Sequence, residues 1–285
     1  LEGEVKQRTA ELELRNQEII ENKNEIERNA KNITDSIRYA KRIQKAIYPT
    51  TGQFKKLLPE SFIFFKSKGI VSGDFYWIEE KGNKILFAAC DCTGHGVPGA
   101  FISIVTNNLL NQAVKEHGIT KPSQILDEVN KGITTTLHQT QEDSTVKDGM
   151  DAALCCYDRS SGTLEFAGAY NGLYLIRKGE LLEFKADNIP IGRFIGEAFK
   201  TFTNHEIITQ PDDVVYLFSD GFADQFGGPE GKKIKKNIFK NLLLEIWHLP
   251  MEEQREKLYN FFKSWQGELE QVDDVLVIGV RIKNI

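Results

Sequence analysis

Residues 85–100 read Ile85-Leu86-Phe87-Ala88-Ala89-Cys90-Asp91-Cys92-Thr93-Gly94-His95-Gly96-Val97-Pro98-Gly99-Ala100. An apolar, strand-like run meets an aspartate, a glycine-rich turn follows, and Pro98-Gly99-Ala100 starts a helix. The same junction of strand, carboxylate and turn recurs three times. Asp74 stands in Ser72-Gly73-Asp74-Phe75-Tyr76-Trp77, and Asp220 lies between Val214-Val215-Tyr216-Leu217-Phe218-Ser219 and Gly221. Asp273 and Asp274 directly precede Val275-Leu276-Val277-Ile278-Gly279-Val280.

Working outward, residues 62–65 and 70–78 are strand-like, and Gly82-Asn83 marks a hairpin turn before the strand 84–91. Helical stretches follow over about 100–116 and 122–138. In the second, Ile125, Val129, Ile133 and Leu137 stand four apart, the stripe of an amphipathic helix. Short strands then run from 151 to 218, punctuated by Ser160-Ser161-Gly162, Asn171-Gly172, Lys178-Gly179 and Pro211-Asp212-Asp213. Helices return over about 233–247 and 251–265, and a strand over 275–282 closes the chain. This order predicts an α+β fold with two sheets and helices packed outside them.

Residues 1 to about 48 differ from all that follows. Proline is absent before Pro49, Gly3 is the only glycine, and charges of both signs alternate. Val5, Leu12, Ile19, Ile26, Ile33, Ala40 and Ile47 recur every seven positions, the period of a coiled-coil seam. The companion seam positions are polar early on, with Asn16, Asn22 and Asn29 among them, so the coil is expected to be weak at its start. A lone surface helix would carry a broader apolar face. The expected organisation is a dimerising helical linker over 1–48 and one globular domain over 49–285.

Composition narrows the class. The chain has 285 residues, 40% hydrophobic and 27% charged, so it is not largely disordered. A net charge of -5 and a pI near 5.7 give no global positive field for nucleic acid or acidic lipid. Mean hydropathy is -0.36, no apolar run is long enough for a membrane span, and no signal-peptide pattern follows Leu1. The chain is therefore read as a soluble, cytoplasmic piece of something longer, a sensor protein with which a membrane anchor elsewhere is compatible. Cys90, Cys92, Cys155 and Cys156 match no zinc spacing and lie in apolar runs, so they read as reduced, partly buried residues.

Carboxylates at neighbouring strand ends can converge, and hard oxygen ligands suit Mg²⁺ or Mn²⁺. Each aspartate taken singly is also an ordinary turn or capping residue. His95 between glycines reads as a ligand, an acid–base group or a space-filler beside a tight turn. No nucleophile elbow, P-loop or His-Glu-x-x-His helix is present.

The four ordered blocks around Asp74, Asp91, Asp220 and Asp273-Asp274 resemble the SpoIIE/RsbU branch of the metal-dependent (type 2C, PPM) protein phosphatases, over roughly 50–285. The resemblance implies a β-sandwich flanked by helices, with two Mn²⁺ or Mg²⁺ ions and phosphorylated anti-sigma antagonist (STAS-like) proteins as substrates. It implies that Asp91 bridges both metals, with the Cys92 carbonyl beside it. Asp220 and Asp273 then serve the first metal and Asp74 the second, with Asp274 an alternative to Asp273. Gly94 and Gly96 would hold the loop close, His95 would support the site, and Asp148 or Asp151 would take a third metal.

Such a site needs no protein nucleophile, because a metal-held water can attack phosphorus. Two departures from the family pattern stand out. No arginine counterpart is visible for holding phosphate, with Lys66 or Lys68 the candidate substitutes, and Gly168-Ala169-Tyr170-Asn171-Gly172 replaces the usual Asn-Ala-Gly-His. Lys232, Lys233, Lys235, Lys236 and Lys240 read as a solvated helix start, with an acidic phosphoprotein surface as the lesser alternative. The expected function is the phosphoserine/phosphothreonine phosphatase output of a bacterial signalling protein, dimeric through 1–48 and driven by an upstream sensor. The rival expectation is an inactive phosphatase-like docking module.

Overall fold

The computed structural model describes residues 2–94, 96–137, 148–192 and 201–283. Helix α1 (Glu2–Ile47) covers the whole heptad region and stops just before Pro49. Its seam residues Val5, Leu12, Ile19, Ile26 and Ile33 are exposed on the single chain. Exposed pairs at helical spacing, Glu11–Arg15 at 3.0 Å and Lys23–Glu27 at 3.9 Å, add modest local support. The helix up to Ile43 is one unit, and the chain from Gln44 onward is a second.

Within the second unit, helix α2 (Thr51–Leu57) opens on a reciprocal cap. The Thr50 hydroxyl accepts the Gln53 N–H at 3.1 Å, and the Gln53 side chain accepts the Thr50 N–H at 2.8 Å. One sheet contains β1 (Ser61–Lys66), β6 (Leu173–Arg177), β7 (Glu180–Phe184), β9 (Val214–Phe218) and β12 (Val275–Arg281), in the order β1-β12-β9-β6-β7. The other contains β2 (Phe75–Lys81), β3 (Lys84–Cys92), β4 (Met150–Asp158), β5 (Thr163–Ala169) and β8 (His205–Ile208), in the order β2-β3-β4-β5-β8. All neighbours pair antiparallel. A small ribbon joins β10 (Phe226–Gly227) to β11 (Lys232–Lys233).

Period-two alternation along the strands builds the layers. Ile85, Phe87 and Ala89 of β3 point to the space between the sheets, where they meet Leu175, Val215, Leu217 and Ile278. Leu86, Ala88 and Cys90 point the other way, under helices α3 (Val97–Asn111) and α4 (Pro122–Thr136). The α4 stripe Ile125, Val129 and Ile133 is fully buried there, with Leu137 at its edge. On the far side Phe62, Phe64, Tyr216 and Val277 pack under α5 (Lys235–Ile246) and α6 (Met251–Gln266) through Phe239, Leu243, Leu258 and Phe262. The result is helices, sheet, sheet, helices, the α+β architecture expected. Because both faces of the central strands are covered, their sequences are apolar without alternation.

The structure differs from the sequence reading in three places. The strand expected over 70–78 begins only at Phe75, because the backbone before it wraps a carboxylate instead of pairing (below). The helix expected to reach residue 116 ends as regular α-helix at Asn111 and passes into a π-turn over Gln112–Glu116. Lys232 and Lys233 belong to β11 rather than to the helix that follows. The four cysteines are free and buried. Among the described residues no helix is long and apolar enough to cross a membrane.

Phe87 is fully buried between the sheets and meets the Phe54 ring edge-on at 6.4 Å. Phe87→Ala should cost about 3–5 kcal/mol of stability, read as a lowered midpoint of urea unfolding.

Candidate metal centre

Strand pairing brings the four carboxylate junctions to one side of the sandwich. β2 starts one residue after Asp74 and pairs with β3, which ends in Asp91 and Cys92. β9 ends two residues before Asp220 and pairs with β12, which begins just after Asp274. Between them lies a cleft of about 520 Å³. Asp74, Asp91, Asp151, Asp220, Asp273 and Asp274 line it, with Cys92, Thr93, Gly94, Tyr170, Asn171 and Lys236 among their neighbours. Of the residues singled out in the sequence, Asp148 and Gly96 do not line this cleft, and His95 lies outside the described residues. Gly94 and Gly96 both have left-handed backbone, with φ of 82° and 71°, which glycine adopts without strain.

These carboxyl groups are costly where they stand. Asp74 is buried, and its Oδ2 has no hydrogen-bond partner. Burial pushes its pKa up to about 8, and the Asp274 and Asp273 charges add to this while Ser219 and Asp91 offset part of it. Asp91 is raised well above the usual carboxylate range, again by burial first and then by Asp74 and Asp220. The β3–β4 register sets Asp91 directly opposite Asp151, so two like charges face each other across the ladder. Asp220, at the exposed rim, is also raised by desolvation, Asp224 and Asp273, against the opposing charges of Lys233 and Lys236.

One carboxylate is held by backbone instead. Asp274 accepts the Lys68 N–H at 2.7 Å on Oδ1 and the Gly73 N–H at 2.8 Å on Oδ2. This wrap takes the Gly73 amide, two residues before β2 begins. Asp273 Oδ1 accepts the Asp274 N–H at 2.8 Å, which fixes the dipeptide. At Gly221, directly after Asp220, a Cβ would stand 1.9 Å from the Asp274 carbonyl oxygen. Only glycine lets the ends of β9 and β12 approach this closely. From the other side Gln44 Nε2 donates to the Ser72 carbonyl at 2.7 Å and to Ser103 Oγ at 3.2 Å, while the Tyr48 hydroxyl donates to Ser103 Oγ at 2.5 Å. Tyr48 also stacks on Phe75 at 5.2 Å, so residues flanking Asp74 are clamped against α3.

The donor set fits hard divalent cations: clustered carboxylate oxygens, one of them buried and unpartnered, and backbone held close by glycine. Among the described residues, no three His, Cys, Asp or Glu side chains are already drawn together as a coordination cluster. Lys66 and Lys68 do not line the cleft. The Lys66 ammonium instead pairs with Gln271 and lies over the Phe262 ring at 5.7 Å, and Lys68 serves through its backbone. Sequence reasoning missed the tying role of Asp274, the close approach at Gly221 and the place of Lys236. Of these, only Gly221 had a visible signal, its position directly after a strand-end aspartate.

The profile of the SpoIIE family (stage II sporulation protein E) matches residues 81–283. The SiaA-PP2C domain of Pseudomonas aeruginosa is 34% identical, with 89% of this chain and 98% of that one covered and a TM-score of 0.81. The chain belongs to the SpoIIE family. The phosphatase domain and regulatory fragment of SpoIIE from Bacillus subtilis share the fold at 22% identity, over 79% of this chain and 63% of that one, with a TM-score of 0.63. RsbX in complex with magnesium also shares it at 13% identity, over 78% and 94%, with a TM-score of 0.52. No curated protein matches the chain significantly. As a SpoIIE-family member the chain is a PPM-type phosphatase domain of the SpoIIE, SiaA and RsbU kind.

The raised carboxyls make a signed prediction for chelated protein. Unfolded, Asp74 ionises near 3.8; folded and metal-free, it holds its proton up to about 8. Between those values the folded state binds the extra proton, so stability should fall as pH rises from about 4 to about 8. Asp91→Asn removes one of the repelling charges and should raise the melting temperature of chelated protein at pH 8, while reducing the further rise produced by Mn²⁺. Differential scanning calorimetry with and without chelator checks both.

Proposed function

We propose that this domain is a protein-serine/threonine phosphatase whose cleft takes two divalent cations, Mn²⁺ or Mg²⁺. The observation that supports this above others is the convergence of strand-end carboxylates on one cleft, with Asp74 Oδ2 buried and unpartnered. Asp91 would help to hold both ions, with the Cys92 carbonyl as a further ligand. Asp220 and Asp273 would serve one ion and Asp74 the other. Both Asp274 oxygens already accept backbone amides, which favours Asp273 over Asp274 as the ligand. Asp151 in the cleft, rather than Asp148 outside it, is the candidate for any third ion.

Bound divalent ions supply an acidified water and neutralise charge on the phosphoryl oxygens. The chain's own residues have simpler duties. Asp91 and Asp74 would hold the cations as carboxylates. The cysteines do not compete as nucleophiles, because burial pushes the Cys90 and Cys92 thiols well above their ordinary range, with Asp74 and Asp91 adding to it. An open cleft with the exposed Tyr170 on its rim suits a phosphoryl group carried on a protein surface. The substrate we infer is a phosphoserine or phosphothreonine in a STAS-like protein, as the resemblance to the SpoIIE/RsbU branch implies. The domain would be the cytoplasmic output of a bacterial signalling protein, paired as a homodimer through α1 and joined by it to an upstream sensor.

A docking module without turnover is the second reading. It is favoured by one observation, that among the described residues no three candidate ligands are already drawn together. Hydrolysis of p-nitrophenyl phosphate decides between the two. Turnover should require Mn²⁺ or Mg²⁺, vanish with chelator, and fall by about two orders of magnitude or more in Asp91→Asn and Asp220→Asn. Absence of turnover in the wild-type chain under every metal condition would favour the docking module.

The polar seam of α1 generates a separate expectation. Replacing Asn16, Asn22 and Asn29 together by Ile or Leu should strengthen self-association in sedimentation velocity and lock activity high or low. Unchanged association and activity would count against a dimerising, signal-carrying helix.

A further inference from the structure

We propose that Lys236 receives the phosphoryl group of the substrate, the task for which the sequence offered no arginine. This rests on reading the cleft as a phosphatase site. Six carboxylates line the cleft, and Lys236 is the one cation among its described lining residues. Two divalent ions carry four positive charges, fewer than six carboxylates carry negative ones. A phosphate monoester approaching as a dianion therefore meets a cleft still short of positive charge, and one more cation is needed at its edge.

The lysines of the 232–240 stretch are not equivalent. Lys233 pairs with Asp224 at 2.7 Å, Lys240 with Glu183 at 2.7 Å, and Lys232 with Glu230 at 2.5 Å. Lys236 makes no ion pair or hydrogen bond among the described residues, although its charge acts on Asp220. A lysine beside so many acids that pairs with none of them remains available to an anion arriving from outside. Its compact ammonium, on a flexible stem with three donors, suits a phosphoryl group whose position is set by other contacts.

The test measures binding of inorganic phosphate to the Mn²⁺-loaded full chain by isothermal titration calorimetry, for wild type, Lys236→Ala and Lys236→Arg. Lys236→Ala should weaken phosphate about tenfold, and Lys236→Arg should restore most of the loss. A parallel Mn²⁺ titration should be unchanged in both variants. In p-nitrophenyl phosphate hydrolysis Lys236→Ala should raise KM more than it lowers kcat. Equal phosphate affinity in wild type and Lys236→Ala, or no phosphate binding by the wild type, would overturn the proposal. So would a fall in Mn²⁺ affinity with phosphate affinity unchanged, since Lys236 would then act only by steadying Asp220. Metal-dependent wild-type turnover with a phosphate affinity indifferent to Lys236 sinks this inference alone. Phosphate binding that needs Lys236 in a wild-type chain without turnover upholds the anion site and sinks the phosphatase reading.

Discussion

Mutual repulsion among carboxylates at the ends of neighbouring strands is the constraint to which the rest of the globular unit is fitted. Asp74 and Asp91 are raised because they are buried, and raised further because each sees other acids. A fold selected for stability alone would not keep Asp91 opposite Asp151 on adjacent strands, since like charges directly opposed oppose pairing. The arrangement persists because residues around the acids hold the backbone that carries them. Asp274 is the clearest case: it spends its charge on two amides of the 68–73 loop and so fixes the approach to Asp74. Charged acceptors of backbone N–H groups form stronger hydrogen bonds than neutral ones, which suits this residue to the task.

The clamp on the other flank is made of neutral groups. Gln44 bridges the Ser72 carbonyl and the Ser103 hydroxyl, and Tyr48 reaches the same hydroxyl while its ring covers Phe75. Ser72 lies two residues before Asp74, and Ser103 sits on α3, the helix that follows the Asp91 loop. Buried Gln44 thus has its side-chain amide satisfied by partners from both sides of the cleft's approach, as a buried polar group must. Losing either partner would leave an amide or carbonyl stranded in an apolar surround.

Much of this was legible in sequence, and the limits are physical. The β3 run, the α4 stripe and the glycine-marked hairpin at Gly82-Asn83 are local patterns, and they appear where period and turn chemistry place them. The strand-end aspartates were visible because carboxylates at the ends of apolar runs are conspicuous. What failed was non-local. Residues 70–74 look like strand because Ile70 and Val71 are β-branched, yet their conformation answers to Asp274, about two hundred positions away. The Thr50-x-x-Gln53 cap, by contrast, is a local pattern of the same kind as the α4 stripe, readable from its spacing. Nothing in the spelling of the lysine stretch separates Lys236 from Lys233, because their partners lie on other elements.

The cost of the cleft is confined by where it lies. The apolar contacts form three clusters, one between the sheets and one under each helical layer. The acids stand in the last residues of the strands that build those clusters or just beyond them, so their desolvation and repulsion do not require a polar group in the middle of any layer. Phe87, Leu217 and Ile278 remain fully or almost fully buried a few residues from Asp91, Asp220 and Asp274 respectively. Because a close-packed interior is hardly compressible, the strand ends can be held rigidly in a conformation that is unfavourable for the acids themselves. Ligand pockets at strand ends follow the same logic: the sheet supplies stiffness, and the residues just past it supply chemistry. Here the stiffness comes from strands buried on both faces, and it holds in place acids that the fold alone would not retain.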